Sequence, residues 1–216
     1  MKKHVTFLLI CFVVILAVAS IGQAQKKITG PWLWMTTPAG PVGGAVMTDV
    51  DTLSKASGGS VTQEGVAKNG VKAGQACGKL NWTWGEIAAT GGNNVNDLMV
   101  KIGLGKGDID QTDGWAYIEL DAAAKKGVTA KAGSDDSIKV WLNGKVVHKN
   151  AVDRGAGDFQ DTFKVDLIDG INRLLVKVGE KGGGWSMFVG IDANYNVVAV
   201  ESAGKLSTTW AGIKNR

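Results

Sequence analysis

The hydrophobic positions of this chain recur in short alternating runs that glycine-rich segments separate. Apolar and β-branched residues alternate with polar ones, which is the period of a half-buried β-strand. Glycine is abundant, at 31 residues, whereas proline occurs only three times. Short strands with frequent turn signals predict an all-β sandwich or barrel. The strand candidates are residues 31–35, 81–84, 115–120, 128–132, 138–142, 145–148, 163–167, 173–178, 185–191 and 197–200.

The clearest local pattern is a β-hairpin in the second half of the chain. Ile138, Val140 and Leu142 occupy one face of its first strand, and Trp141 lies on the other face. The dipeptide Asn143-Gly144 follows, and both residues tolerate the positive φ values of a type I′ turn. If the aliphatic side chains face the core, Trp141 faces away from it.

Short helices accompany the strands. Asn94 is placed to cap a helix over residues 95–102, whose apolar positions share one face, and Gly103 is a stop signal. Residues 208–213 predict a further short helical turn. Residues 49–56 give no decisive pattern. The sequence therefore predicts one or two short helices beside the strands.

The beginning of the chain has the organisation of a secretory signal peptide. Lys2 and Lys3 precede an apolar stretch over residues 7–19, which is too short to span a bilayer core of ~30 Å comfortably. Gly22 and Ala24 supply the small residues of a cleavage site. We predict a signal peptide over residues 1–24, with cleavage after Ala24, and a secreted protein, extracellular or periplasmic, with no stable membrane insertion afterwards. An uncleaved membrane anchor is the alternative.

Charge and cysteine content narrow the classes of partner. Loss of Lys2 and Lys3 lowers the net charge from +4 to +2, which predicts no affinity for nucleic acid or anionic lipid. Cys77 then remains as the one cysteine, so no intrachain disulfide can form, and we expect a buried thiol. Stability must come from a packed core. We predict a single sandwich domain over residues 25–196, followed by a C-terminal strand and tail over 197–216.

Sequence signatures of catalysis are absent. Beyond the signal peptide the one histidine is His148, at the end of a predicted strand. No nucleophile elbow, P-loop, His-rich metal motif or paired-cysteine zinc site occurs. Residues 108–114 resemble a calcium loop loosely, but their spacing does not fit the helix–loop–helix pattern, and we expect a solvated turn. The sequence predicts a protein that is not an enzyme.

The adjacent carboxylates Asp135 and Asp136 precede the hairpin and have two interpretations. Like charges repel, and a cation offsets that repulsion, so the pair could supply oxygen ligands to calcium. Alternatively, the two side chains organise a tight turn by accepting backbone N–H groups, as aspartate does in Asx-turns. We prefer the turn interpretation on sequence grounds, so that no cofactor is expected, with calcium as the alternative.

Tryptophan is unusually frequent, with eight residues beside two tyrosines. A buried indole fills a sandwich core, whereas an exposed one can stack on the apolar face of a sugar ring. We expect most of the tryptophans in the core. Trp141 is the candidate for ligand binding, because it is out of phase with its aliphatic neighbours.

Several segments together resemble a module of exported bacterial proteins that has a galactose-binding-domain-like fold. Residues 134–148 contain the Asp-Asp pair before a Val-Trp-Leu-Asn-Gly-Lys hairpin, residues 170–178 follow the pattern Gly-x-Asn-x-Leu-Leu-Val-Lys-Val, and residues 182–189 are a glycine-rich turn followed by tryptophan. The resemblance covers about residues 115–192. It implies a jelly-roll β-sandwich, the architecture of many carbohydrate-binding modules.

The same region is more distantly similar to the protective-antigen-type lectin domains of adhesins. In that family paired aspartates bind calcium, which coordinates sugar hydroxyls, so the resemblance implies a calcium role for Asp135 and Asp136. The expected function is a secreted, non-catalytic carbohydrate-binding or cell-surface accessory module with a polysaccharide or glycan partner. The alternative is a structural or adhesive sandwich domain without a small-molecule ligand. Residues 27–114 carry no such resemblance.

Overall fold

The computed structural model describes residues 26–200, which form a β-sandwich with a few short helices. None of the helices in this part of the chain is long and apolar enough to cross a membrane. The strands are β1 (Trp32–Pro38), β2 (Ala76–Cys77), β3 (Leu80–Asn81), β4 (Thr83–Gly85), β5 (Thr112–Ala122), β6 (Lys125–Asp135), β7 (Ile138–Leu142), β8 (Lys145–Asn150), β9 (Asp161–Leu167), β10 (Gly170–Glu180), β11 (Ser186–Ile191) and β12 (Asn196–Val198). The helices are a 3-10 helix (Gly44–Met47), α1 (Thr52–Ser57), α2 (Gln63–Asn69) and α3 (Asn94–Lys101).

Two antiparallel sheets make the sandwich. The main sheet has the order β4-β1-β5-β10-β7-β8, and β12 pairs with the end of β5 beyond β1. The smaller sheet has the order β11-β6-β9, and β2 and β3 form a separate short pair. Because β1 and β4 belong to the main sheet, the segment before residue 115 supplies two strands of the sandwich.

The core between the two sheets follows from alternation along the strands. Inward-facing side chains of β5, β7 and β10 meet those of β6, β9 and β11 in one continuous cluster. Both sheets contribute β-branched and aliphatic residues to it, as expected for facing pleated surfaces. Members at its centre include Trp34, Ile118, Val140, Val176, Trp185 and Val189.

The opposite face of the main sheet is buried as well. There α1 and α2 pack over β1, β5, β7 and β10 and form a second apolar cluster with them. Asp51 caps α1 by accepting from Ser54 N, and Thr62 caps α2 by accepting from Gly65 N. The middle strands of the main sheet are therefore covered on both faces, which explains their almost continuous burial.

The predicted sandwich, the hairpin and one helix are confirmed. The hairpin strand covers Ile138–Leu142 as expected, and Asn143 and Gly144 have φ values of 51° and 80°. The predicted helix corresponds to α3, but the predicted cap is wrong, because Asn94 is the first residue of the helix and its side chain donates to Gly91 O and accepts from Met187 N instead. Neither α1 nor α2 is predicted from the sequence. The turn proposed at residues 208–213 and the signal peptide lie outside the described residues.

Candidate functional site

Asp135 and Asp136 lie where the chain crosses from the small sheet to the main sheet. Asp135 is the last residue of β6, and β7 begins two residues after Asp136. The peptide bond between the two aspartates is cis. Asp136 N donates to Gly179 O at 2.9 Å, which fixes the crossing against the end of β10.

Glu180, the last residue of β10, completes a cluster of three carboxylates with this pair. One oxygen from each of Asp135, Asp136 and Glu180 lies within 4.8 Å of the other two. Glu180 is fully buried, Asp136 is 7 % exposed, and Asp135 is half-buried. The cluster is therefore closed on the Glu180 side and open toward solvent near Asp135.

The hydrogen bonds of the cluster leave Glu180 unpartnered. Asp135 Oδ2 accepts from Ala156 N at 3.1 Å, and Asp136 Oδ2 accepts from Lys181 N at 2.7 Å. Neither carboxylate oxygen of Glu180 has a hydrogen-bond partner. Within residues 26–200, no lysine, arginine or histidine forms an ion pair with any of the three. Buried carboxylates normally find donors or counter-charges, so ionisation of all three side chains would leave negative charge uncompensated.

Burial raises the pKa of every member, and neighbouring negative charges add to the effect. Burial raises the pKa of Glu180 to about 8, and the charges of Asp136, Asp135 and Asp110 add to the effect. Burial, followed by the charge of Asp136, raises the pKa of Asp135 to about 6. Burial also raises the pKa of Asp136, against the hydrogen bond from Lys181 N. Without a cation the cluster therefore retains protons near neutral pH.

Backbone from glycine-rich loops forms the wall beside Asp135. A Cβ on Gly184 would lie 2.8 Å from Asp135 Oδ2 and 3.2 Å from Gly92 O. Gly92 in turn lies close to Ala156, the residue that donates to Asp135. Only residues without side chains allow these loops to approach the carboxylates so closely.

Arg154 stabilises the connection between β6 and β7 through hydrogen bonds. Its guanidinium donates to Ser134 Oγ at 2.9 Å and makes two bonds to the carboxylate of Asp161. Ser134 Oγ donates to Asp136 O at 2.7 Å. His148 Nε2 lies 3.0 Å from Asp161 Oδ2, so the single histidine of the described chain supports this arrangement from the edge of the sheet.

The local Asx-turn preferred from sequence is not what the structure has. The donors to Asp135 and Asp136 come from Ala156 and Lys181, far along the chain, rather than from their own turn. The two side chains therefore join three loops, and their free oxygens converge with Glu180. A calcium role for the pair stays a hypothesis, developed below.

The burial of Trp141 differs from what the sequence predicts. The side chain lies on the opposite face from Ile138 and Val140, as predicted, but it is only 2 % exposed. The helical layer covers that face, and Trp141 packs against Trp115 with ring centroids 6.1 Å apart. The prediction that Trp141 presents an exposed ligand-binding surface is wrong. The alternation along β7 shows which face Trp141 lies on, but it does not show that helices cover that face.

Glu180 is not among the site residues predicted from the sequence, although the alternation along β10 contains a signal for it. Leu174, Val176 and Val178 alternate on the inward face of β10 and pack in the main core. Glu180 continues the same two-residue period. A carboxylate at a position where the alternation requires an apolar side chain indicates a buried polar site.

Comparisons with known proteins find little similarity. No model of a known protein family matches this chain, and no curated protein matches it. Among solved structures, the chain is similar to a PA14 sugar-binding domain from an RTX adhesin, with 17 % sequence identity and a TM-score of 0.34. The match covers 42 % of this chain and spans about half of the other chain, 55 % of its length.

Proposed function

We propose that this chain is a non-catalytic carbohydrate-binding module of an exported protein, and that Asp135, Asp136 and Glu180 hold a calcium ion through which the glycan is bound. The observation that carries the proposal is the fully buried, unpartnered carboxylate of Glu180 beside the two aspartates. An ion at this point would satisfy all three side chains at once.

The donor set fits calcium in chemistry and in size. Calcium prefers carboxylate and carbonyl oxygens at about 2.3–2.6 Å, so two ligands on opposite sides of the ion lie about 5 Å apart. The three carboxylate oxygens fall within 4.8 Å of one another. None of the three forms an ion pair with a side-chain cation of residues 26–200, so the ion would compensate their charges.

The open side of the cluster supports a glycan rather than a closed structural ion. Calcium takes six to eight oxygen ligands, more than three monodentate carboxylates supply. Asp135 is the most exposed of the three, so a ligand can approach the cluster from its side. Sugar hydroxyls can complete the coordination there, as the distant resemblance of about residues 115–192 to adhesin lectin domains implies.

Stacking by tryptophan is not part of this proposal. Six tryptophans of the described chain are buried and Trp84 is half-buried. This observation favours the second candidate function, a structural or adhesive sandwich without a small ligand. The two functions differ in whether calcium confers glycan binding.

The test is a glycan array probed with and without calcium, together with calcium titration by calorimetry. We expect calcium binding by the wild type, glycan binding only in calcium, and loss of both in Glu180→Gln. Glu86→Gln, at an exposed glutamate, is the matched control and should behave as wild type. Calcium binding without any glycan signal would support the structural alternative, and no calcium binding at all would overturn the metal site.

A further inference from the structure

A second buried polar site lies on the helical side of the main sheet. Asp113 of β5 and Lys177 of β10 are diagonal neighbours, because Gly179 pairs with Asp113 and Lys177 pairs with Trp115. Lys177 Nζ is 3.0 Å from Asp113 Oδ2, and the two side chains are 1 % and 0 % exposed. The amine and the carboxyl group are therefore in contact in a place without access to bulk water.

Three oxygen atoms lie close to Lys177 Nζ. The nitrogen donates to Met47 O and to Val50 O, at 2.5 and 2.8 Å, in the segment just before α1. Asp113 Oδ2 is the third oxygen near this nitrogen, at 3.0 Å. If one proton moves to the carboxylate, the two carbonyl oxygens can still accept the two remaining N–H groups.

The two carboxylate oxygens of Asp113 have different surroundings. Oδ2 accepts from Thr52 Oγ1 at 2.7 Å, whereas Oδ1 is buried without any partner. Thr52 Oγ1 lies 2.7 Å from Thr37 Oγ1, which accepts from Trp115 Nε1 at 2.9 Å. Because the indole only donates and Thr52 donates to Asp113, the three donors point in one direction along this chain. Such a chain of donors polarises Oδ2 and helps it to leave.

We propose that Lys177 and Asp113 condense to an intramolecular amide that joins β5 covalently to β10. The ammonium passes one proton to Oδ2, and the amine attacks Cγ of the resulting carboxylic acid. The C–Oδ2 bond then breaks, and Oδ2 departs as water with that proton and one further proton from the nitrogen. Oδ1 becomes the amide oxygen, one N–H remains, and no co-reactant is needed.

The proximity of the two groups and the exclusion of water from them favour this step. Holding two reacting groups in place corresponds to effective concentrations of 10⁵–10⁸ M, as an order of magnitude. Burial lowers the pKa of Lys177 and raises the pKa of Asp113, which favours the neutral amine and acid that react. The ion pair Lys139–Asp49 is the matched contrast, because its distance is 2.8 Å but Asp49 is 62 % exposed.

Mass spectrometry of the intact, denatured protein tests the proposal directly. We expect the wild type to be lighter than its sequence mass by one water, and Lys177→Arg and Asp113→Ala to have their full sequence masses. Lys139→Arg should still show the loss of one water. Folded wild type at its full sequence mass overturns the proposal, and this result does not depend on whether the variants fold.

Tryptic mapping identifies the bond. An amide at Lys177 blocks cleavage there, so Leu174–Lys181 should be recovered attached to Gly107–Lys125 as one branched peptide. Recovery of the unmodified peptide Leu174–Lys177 in full yield, or loss of water located at another pair, also contradicts the assignment.

Discussion

The pKa of Glu180 makes stability in the absence of calcium depend on pH in an unusual direction. The side chain has an ordinary pKa of 4.5, and burial beside two aspartates raises it to about 8 in the folded protein. The folded state therefore holds a proton that the unfolded state releases. This stabilising contribution is complete below pH 4.5 and is lost as pH rises through 8.

The magnitude is large compared with the stability of a typical domain. One pKa unit corresponds to 1.36 kcal/mol, so the shift at Glu180 amounts to a loss on the order of 5 kcal/mol between those pH values. Native proteins are stable by only about 5–15 kcal/mol. With a urea dependence of about 1–3 kcal/mol per molar, the unfolding midpoint should fall by about 2 M or more.

The substitution Glu180→Gln and the binding of calcium should each reduce this loss of stability, for different reasons. In chelator the variant lacks the ionisable group, so it should be more stable than the wild type at pH 8 and should lose less stability as pH rises. Calcium should stabilise the wild type at pH 8 by about 2.7 kcal/mol when its free concentration is a hundredfold above the dissociation constant. The variant should gain little from calcium.

Urea unfolding, followed by tryptophan fluorescence between pH 5 and 8.5, measures these stabilities. Wild type and Glu180→Gln are each unfolded in calcium and in chelator. Glu86→Gln controls for the removal of one negative charge and should follow the wild type under every condition. The reasoning is refuted if wild type in chelator keeps its stability up to pH 8.5, or if Glu180→Gln has the same pH dependence as wild type.

Three further outcomes follow from the described contacts. Trp141→Ala should destabilise the protein by about 3–5 kcal/mol in urea unfolding, because the indole is buried, and an unchanged midpoint would contradict that burial. Gly184→Ala should weaken calcium binding in calorimetry, since its Cβ would lie 2.8 Å from Asp135 Oδ2, whereas Gly182→Ala has no contact closer than 3.8 Å and should bind as wild type. Asp161→Asn should cost about 3–5 kcal/mol in the same unfolding assay, because it leaves a largely buried arginine without its carboxylate, and a loss below about 1 kcal/mol would indicate a solvated pair.

Alternation and turn chemistry were sufficient to predict the second half of the sandwich. The run from Ile138 to Leu142 and the Asn143-Gly144 turn carry their structure locally, since β propensity and positive φ are properties of single residues. The helix α3 follows from the spacing of its apolar positions and the glycine after it, although Asn94 is its first residue and not its cap. These are signals that a short window of sequence contains.

The helical layer and the third carboxylate could not be predicted in the same way. Trp141 alternates correctly, yet whether its face is covered depends on α1 and α2, which lie more than 70 residues earlier in the chain. Likewise Glu180 meets Asp135 only because β10 and β6 belong to facing sheets. The alternation along β10 indicates that Glu180 is buried, but nothing in either segment shows which residues it meets across the sandwich.

The position of β1 in the main sheet has a consequence for how the chain reaches its fold. Leu33 pairs with Tyr117, so a strand near the beginning of the described chain cannot pair until a segment 84 residues later has been synthesised. Until then Trp32, Leu33, Trp34 and Met35, all fully buried in the end, are exposed together. Such a segment is a natural binding site for chaperones and a starting point for aggregation. Slow, late pairing of β1 would also keep the chain unfolded for longer, which is the state in which a polypeptide can be threaded through a narrow pore.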